Sequence, residues 1–201
     1  MNEREIAKKF WESKKKYPKY DNIKQRRFYE LNYLIPRLKG NSLLDLGCGD
    51  GALLECLLRL TDLKLYGYDL SENLLNNIDK KIETKIYDCY NPGPLPKTDI
   101  TIFASVIVYL FDDKVVDKIL SLIKSDTLFI RAPCTLKDKD ELINSYSEKL
   151  EEQYAALYRT VPHLFELINR HFIIEDVTRV YPDEIESNFG TKQFYFKCVR
   201  P

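Results

Sequence analysis

The stretch that most constrains this chain is Leu43-Leu44-Asp45-Leu46-Gly47-Cys48-Gly49-Asp50-Gly51. An apolar run of strand length ends in three glycines separated by single residues, and a helical pattern, Ala52 to Leu60, follows at once. Glycine lets a backbone turn tightly and approach a ligand closely, and a helix start behind the turn presents unpaired N–H groups. From Ser42 onward, short apolar runs alternate with helical patterns, which predicts β-α units and a mostly parallel sheet. The expected strands are Ser42 to Leu46, Leu63 to Tyr68, Thr84 to Tyr87, Asp99 to Ala104, Thr127 to Ala132, Ile173 to Val180 and Gln193 to Val199. About a dozen residues with Pro182, Asn188 and Gly190 but no helical pattern separate the last two, so these pair antiparallel. Ser71 and Asp112 are N-cap candidates for two of the intervening helices.

Length sets the scale. At 201 residues, 44% of them hydrophobic, the chain suits one α/β domain with a modest appendage. A fold of that size buries roughly 70% of its unfolded surface, so it needs neither disulfides nor a structural metal. Five scattered cysteines without a C-x-x-C pair agree with this and suggest a reducing, cytoplasmic setting. The longest apolar run, Ile100 to Phe111, is far shorter than the ~18 residues of a membrane span, and the opening residues have no secretory pattern.

A zero formal net charge conceals an uneven distribution. Residues 1–40 hold 12 Lys and Arg against 5 Asp and Glu, together with Phe10, Trp11, Tyr17, Tyr20, Phe28, Tyr29 and Tyr33. This basic, aromatic segment is predicted to be helical: one helix within residues 3–16, whose Lys14–Lys16 run is a solvated face, and another from Asn22 to Leu38. The second has an inward stripe of Phe28, Leu31, Leu34, Ile35 and Leu38. We expect residues 1–40 to act as a lid on a core of 41–201. Within that core, residues 133–172 show Leu142, Tyr146, Leu150, Tyr154 and Leu157 at helical spacing, which predicts a helical cover over the C-terminal edge of the sheet, where open α/β sheets bind ligands.

Two further acids extend the glycine turn. Asp69 ends the second strand 22 residues after Gly47, where a ribose-binding carboxylate belongs, and Asp88 follows the third strand. Read alone, Gly47, Gly49 and Ala52 also fit the G-x-G-x-x-A dinucleotide pattern, so the turn by itself leaves a nicotinamide enzyme open. With the acids included, the sequence resembles the class I S-adenosylmethionine-dependent methyltransferases. The resemblance covers residues 41–132 well. It implies a Rossmann-like sheet of seven strands, ordered 3-2-1-4-5-7-6 with the last antiparallel, and helices on both faces. It also implies S-adenosylmethionine as cofactor, held by Asp45, Gly47, Cys48, Gly49, Gly51, Asp69, Leu70, Asp88, Cys89 and Ser105. The strand and turn Ile102-Phe103-Ala104-Ser105, with Val106 to Leu110, matches the segment that lines the transfer site.

Tyr109 stands where many relatives carry His, and no Asp/Asn-Pro-Pro-aromatic sequence follows the fourth strand, which points to an oxygen acceptor. His163, after Val161-Pro162, is the candidate general base, and Tyr109 the candidate to orient the acceptor. Arg26 and Arg27, with Tyr17, Tyr20 and Tyr29, are the candidates to clamp an anionic acceptor, with Arg37 nearby. The expected activity is O-methylation of a small anionic molecule such as a sugar phosphate, nucleotide sugar or other surface-glycan precursor of the capsule type. No metal is expected, because the two histidines lie eight apart without supporting ligands. A nucleic-acid methyltransferase, for which a basic aromatic segment also speaks, and a non-catalytic cofactor-binding protein are the competing readings.

Overall fold

A computed structural model describes residues 1–14, 22–148, 151–186 and 190–201. Tyr17, Tyr20, Lys15, Lys16 and Leu150, which entered the expectations above, lie outside these residues. The chain opens with helix α1 (Glu3–Glu12), capped by a reciprocal Asn2–Glu5 box, and α2 (Ile23–Leu34), which runs into a 3-10 turn at Ile35–Arg37. The body follows as β1 (Ser42–Leu46), α3 (Ala52–Leu60), β2 (Lys64–Asp69), α4 (Glu72–Leu75), β3 (Glu83–Ile86) and β4 (Ile100–Ala104). A 3-10 turn at Ile107–Tyr109 then leads to α5 (Asp113–Leu122) and β5 (Thr127–Thr135). The rest is β6 (Glu141–Ser147), β7 (Glu152–Tyr158), α6 (Val161–Ile168), β8 (Ile173–Arg179) and β9 (Thr191–Val199).

Seven strands form one sheet in the order β3-β2-β1-β4-β5-β9-β8, which is 3-2-1-4-5-7-6 when only its own strands are counted. β9 runs antiparallel to both β5 and β8, and the other pairs are parallel. The expected sheet is thus the one observed, with strand limits displaced by a few residues at most. Alternating side chains feed two cores. Leu44, Leu46, Phe103, Leu128, Ile130 and Phe196 pack with α5 and α6 residues on one face. Leu43, Ile100, Ile102, Phe129 and Tyr195 pack with α2 and α3 on the other. Each such fully buried side chain contributes about 1.5–3 kcal/mol relative to exposure. Ser71 and Asp112 cap α4 and α5 as expected.

Two local expectations fail. Glu141–Ser147 and Glu152–Tyr158 are not helical: as β6 and β7 they form a separate antiparallel pair that sets Leu142 against Leu157 and Ser145 against Tyr154. A four-residue spacing puts side chains on one side of a strand as well as of a helix, so Leu142 and Tyr146 share a face in either structure. Here both side chains are exposed, while Ala155 and Ala156 are buried. Among its described residues the segment 133–172 thus holds the end of β5, the β6–β7 pair and, as its one helix, α6.

The buried face of α2 also differs. Phe28 is exposed, whereas Glu30, Tyr33 and Leu34 are buried. Glu30 is drawn inward by Arg131 of β5, 2.8 Å away, by Arg27 at 2.6 Å and by a hydrogen bond from the Tyr181 hydroxyl. Burial pushes the Glu30 carboxyl upward, but the two guanidinium groups outweigh it and hold the group below its ordinary value. No periodicity rule anticipates a helix that turns a carboxylate rather than a phenyl ring toward the sheet.

Candidate active site

The C-terminal ends of β1, β2 and β4 meet beneath a cleft of about 630 Å3 that is partly continuous with solvent. Its floor is the glycine turn. Gly47, Gly49 and Gly51 all have left-handed φ values of 80°, 59° and 74°. A side chain on Gly47 would meet Val106 Cγ2 at 2.1 Å, so the turn and the segment after β4 approach as closely as they do only because Gly47 lacks a Cβ. The N–H groups of Gly47 and Cys48 both donate to the Tyr68 carbonyl, which fastens the turn to β2.

Asp69 closes the next side. Its Oδ2 accepts the Gly49 N–H and its Oδ1 the Ser71 N–H, both at 2.9 Å, so one carboxylate orients the glycine turn and the start of α4 together. Burial raises its pKa, and the N–H donors offset part of that rise. Tyr87, Asp88, Cys89 and Tyr90 form the far end, and Ala104, Ser105, Val106, Tyr109 and Leu110 the opposite wall. Ser105 is a non-glycine residue at φ 60°, its N–H held by the Arg131 carbonyl at 2.7 Å. Strain of this kind is retained where the surroundings over-determine it, and here it turns the chain sharply into the cleft wall.

The roof comes from α1. Ala7 and Trp11 line the cleft, Lys8 Nζ lies 2.8 Å from Asp88 Oδ2, and the Arg4 guanidinium stacks over Tyr90 at 4.9 Å. The hairpin supports this helix. Phe10 meets Tyr154 edge to face, and Lys14 pairs with Glu152 at 2.7 Å, so Lys14 is not on a solvated face. Trp11 and Tyr154 both stand edge-on to the Tyr109 ring, at 5.3 and 6.1 Å between centroids.

Of the residues picked out from sequence, Gly47, Gly49, Asp69, Leu70, Asp88, Cys89, Ser105 and Tyr109 all line this one cleft. Asp45, Cys48 and Gly51 lie beneath or beside the turn. Asp45 is buried in β1, and burial, with Asp69 nearby, pushes its carboxyl up to about 7 against the opposing pull of Arg27. Cys48 packs under Gly67 and its thiol is raised by burial. Gly51 starts α3.

The basic candidates sit elsewhere. Arg27 pairs with Glu30, Arg26 donates to the Ile185 carbonyl and lies over Tyr181, Arg37 donates to the Tyr33 carbonyl, and Tyr29 packs against the α2 side of the core. None of them is among the cleft-lining residues. His163 is also absent from the lining. Its Nδ1 is 2.6 Å from Asp140 and its Nε2 3.0 Å from Asp113, so both ring nitrogens already face carboxylates and neither faces the cleft. Ala7, Lys8 and Tyr90 escaped the sequence reading, and Trp11 entered it only as an aromatic of the basic segment, not as a site residue. Its being the only tryptophan of the chain, on an amphipathic helix, was the available signal.

Residues 44–130 match the family model described as a methyltransferase domain. The match takes in somewhat less than half of the chain, from β1 to β5, and gives that stretch the character of a methyltransferase domain. An S-adenosylmethionine-dependent methyltransferase from Clostridium acetobutylicum superposes with a TM-score of 0.64 at 14% identity, covering 89% of this chain and 92% of that one. The magnesium protoporphyrin IX methyltransferase of Synechocystis, solved with its cofactor bound, gives 0.66 at 14% identity over 100% and 98% of the two chains. At such identities the likeness is one of fold. An uncharacterized protein of Haemophilus influenzae is 46% identical over 50 residues, a stretch that spans 25% of this chain and 20% of that protein. Among the described residues of the domain, no helix is long and apolar enough to cross a membrane, and no three His, Cys, Asp or Glu side chains gather as metal ligands.

Proposed function

We propose that the domain moves the methyl group of S-adenosylmethionine to a small acceptor that enters between Trp11 and Tyr109. One juxtaposition carries the reading: Gly47, Gly49 and Asp69 open into the same cleft as Ser105 and Tyr109. The residues suit the cofactor. The Asp69 carboxylate retains lone pairs for a ribose diol, Leu70 offers apolar surface to a purine, and the turn leaves its backbone bare toward the methionine end. When bound, the cofactor supplies a methyl group on a strongly activated sulfonium leaving group. The task left to the protein is alignment and exclusion of water, which Trp11, Ala7 and the Tyr109 wall serve.

The acceptor is read as an oxygen nucleophile that arrives ionised, as in a sugar phosphate, nucleotide sugar or related glycan precursor. Among the described residues, the titratable side chains lining the cleft are carboxylates, tyrosines and a thiol whose pKa burial raises. An ionised oxygen needs no base, whereas a neutral hydroxyl does. Arg4 and Lys8 on the roof helix supply positive charge at the rim. A small-molecule reaction in the cytoplasm, without metal or nucleic acid, completes the proposal.

Calorimetric titration with S-adenosylmethionine, S-adenosylhomocysteine and NAD is the test. Both sulfur ligands are expected to bind, and Asp69→Ala to weaken them by at least about 100-fold through loss of two charge-assisted hydrogen bonds. Binding of NAD alone, or of none of the three, overturns the proposal. Turnover against phosphorylated and neutral sugars then tests the acceptor, and preference for the neutral set removes the argument from charge.

A further inference from the structure

The β6–β7 hairpin is fastened at its feet, and the fastening passes behind Tyr109. Arg159 directly follows β7, and its side chain is only 1% exposed. The guanidinium donates from Nη1 to the Ile107 carbonyl at 3.0 Å and from Nη2 to the Leu110 carbonyl at 2.6 Å. Nε and Nη2 both donate to Asp113 Oδ1, at 3.1 and 2.8 Å. A guanidinium is a rigid fork of five N–H donors, and this one spans two backbone carbonyls and a carboxylate at once. Those two carbonyls bracket Tyr109, so one buried cation holds the backbone on either side of a ring that lines the cleft.

Asp113 is shared. Its Oδ2 lies 3.0 Å from His163 Nε2, His163 Nδ1 lies 2.6 Å from Asp140 Oδ2, and Asp140 Oδ1 accepts the Thr160 N–H at 2.9 Å. Asp140 precedes β6 and Thr160 follows Arg159. The chain of contacts thus ties both feet of the hairpin to each other and to the first turn of α5. The hairpin reaches Tyr109 a second way, through the Tyr154 ring.

We propose that Arg159 is a positioning residue for the acceptor side of the cleft. Through the Ile107 and Leu110 carbonyls it sets where the Tyr109 ring stands against Trp11, and Asp113, His163 and Asp140 hold it in that pose. What the wall is for rests on the methyltransferase reading; the linkage from Arg159 to Tyr109 does not. His163 acquires a part in support of the wall in place of the base expected from sequence.

Trp11 is the only tryptophan, half-buried and edge-on to Tyr109, so acrylamide quenching of its fluorescence reads the wall without any ligand. Arg159→Met is expected to raise the quenching constant at least about twofold by loosening the segment. Tyr109→Ala should raise it to a similar degree, and adding Arg159→Met to Tyr109→Ala should change nothing more. Arg159→Lys keeps the charge but not the fork, and should behave as Arg159→Met does. His163→Gln, at a partly exposed site, should move quenching in the same direction by less. S-adenosylhomocysteine affinity, measured by calorimetry on each variant at Arg159 and His163, should stay within about threefold of wild type, because the cofactor side is separate.

Wild-type quenching in folded Arg159→Lys and His163→Gln overturns the proposal even where Arg159→Met does not fold. So does an Arg159→Met effect that persists in full without the Tyr109 ring, or a loss of S-adenosylhomocysteine affinity that parallels the quenching change. A wild-type protein that does not bind S-adenosylhomocysteine instead sinks the methyltransferase reading, while quenching still decides the linkage.

Discussion

The floor and the roof of the cleft are built on different principles. The floor is backbone: three glycines within five residues, and one carboxylate that accepts N–H groups from the turn and from the next helix. The roof is side chains from distant parts of the sequence. Phe10 meets Tyr154, Lys14 pairs with Glu152, and the Asn144 amide donates to Glu3. A ten-residue helix and a two-stranded hairpin are each marginal alone, so each depends on the other and on the sheet. Local sequence with strong backbone preferences builds the floor and long-range contacts between weak elements build the roof, from which we expect the roof to open more easily than the floor.

Hydrogen exchange offers the largest effect by which that contrast can be broken. Amides of α1 and of β6–β7 are expected to exchange at least about 100-fold faster than those of β1 and β4, through local opening that leaves the sheet intact. Uniform protection across roof and floor would mean they form one cooperative unit.

A smaller effect comes from the acid under the floor. Asp45 is raised by burial to about 7 from an ordinary value of 3.8, so between those pH values the folded protein holds a proton that the unfolded chain releases. Stability on this account falls as pH rises from about 4 to 7. Asp45→Asn should be more stable than wild type at pH 8, by on the order of 2 kcal/mol, with the gain vanishing near pH 4 in urea titrations. An equal effect at both pH values would show that the floor carries no such electrostatic cost.

The smallest effect belongs to the roof. The Lys8–Asp88 pair is partly exposed, at 36% and 24%, so Lys8→Met should alter unfolding free energy by no more than about 1 kcal/mol. A larger loss would make the roof part of the core.

Legibility follows the same division. All seven strands of the main sheet could be read because each is a short run between turn residues, most of them apolar though not the exposed β3, and eight lining residues could be read because they lie at or shortly after strand ends. The roof could not. Leu142 and Tyr146 fit a strand and a helix equally well, and nothing local distinguishes the two. Arg26 looks free in sequence because the partners that occupy it, Tyr181 and Ile185, lie more than 150 residues away. Glu30 reverses the face of its helix for Arg131, a residue on the fifth strand. Arg159 carries no motif, and its importance exists only once the 3-10 turn at 107–109 and the end of β7 are side by side.

The partnership of Phe10 with Tyr154 also fixes an order of assembly during synthesis. The roof helix is made before its support, since Tyr154 is translated 144 residues after Phe10, an interval of roughly 10–30 s at common elongation rates. Throughout that interval the glycine turn, β2 and β4 can find one another while α1 lacks the support of Tyr154 and Glu152. The segment that roofs the cleft is made before the strands it covers, and its contact with the hairpin can form only after β7 has been made, so the floor has its partners before the roof has all of its own.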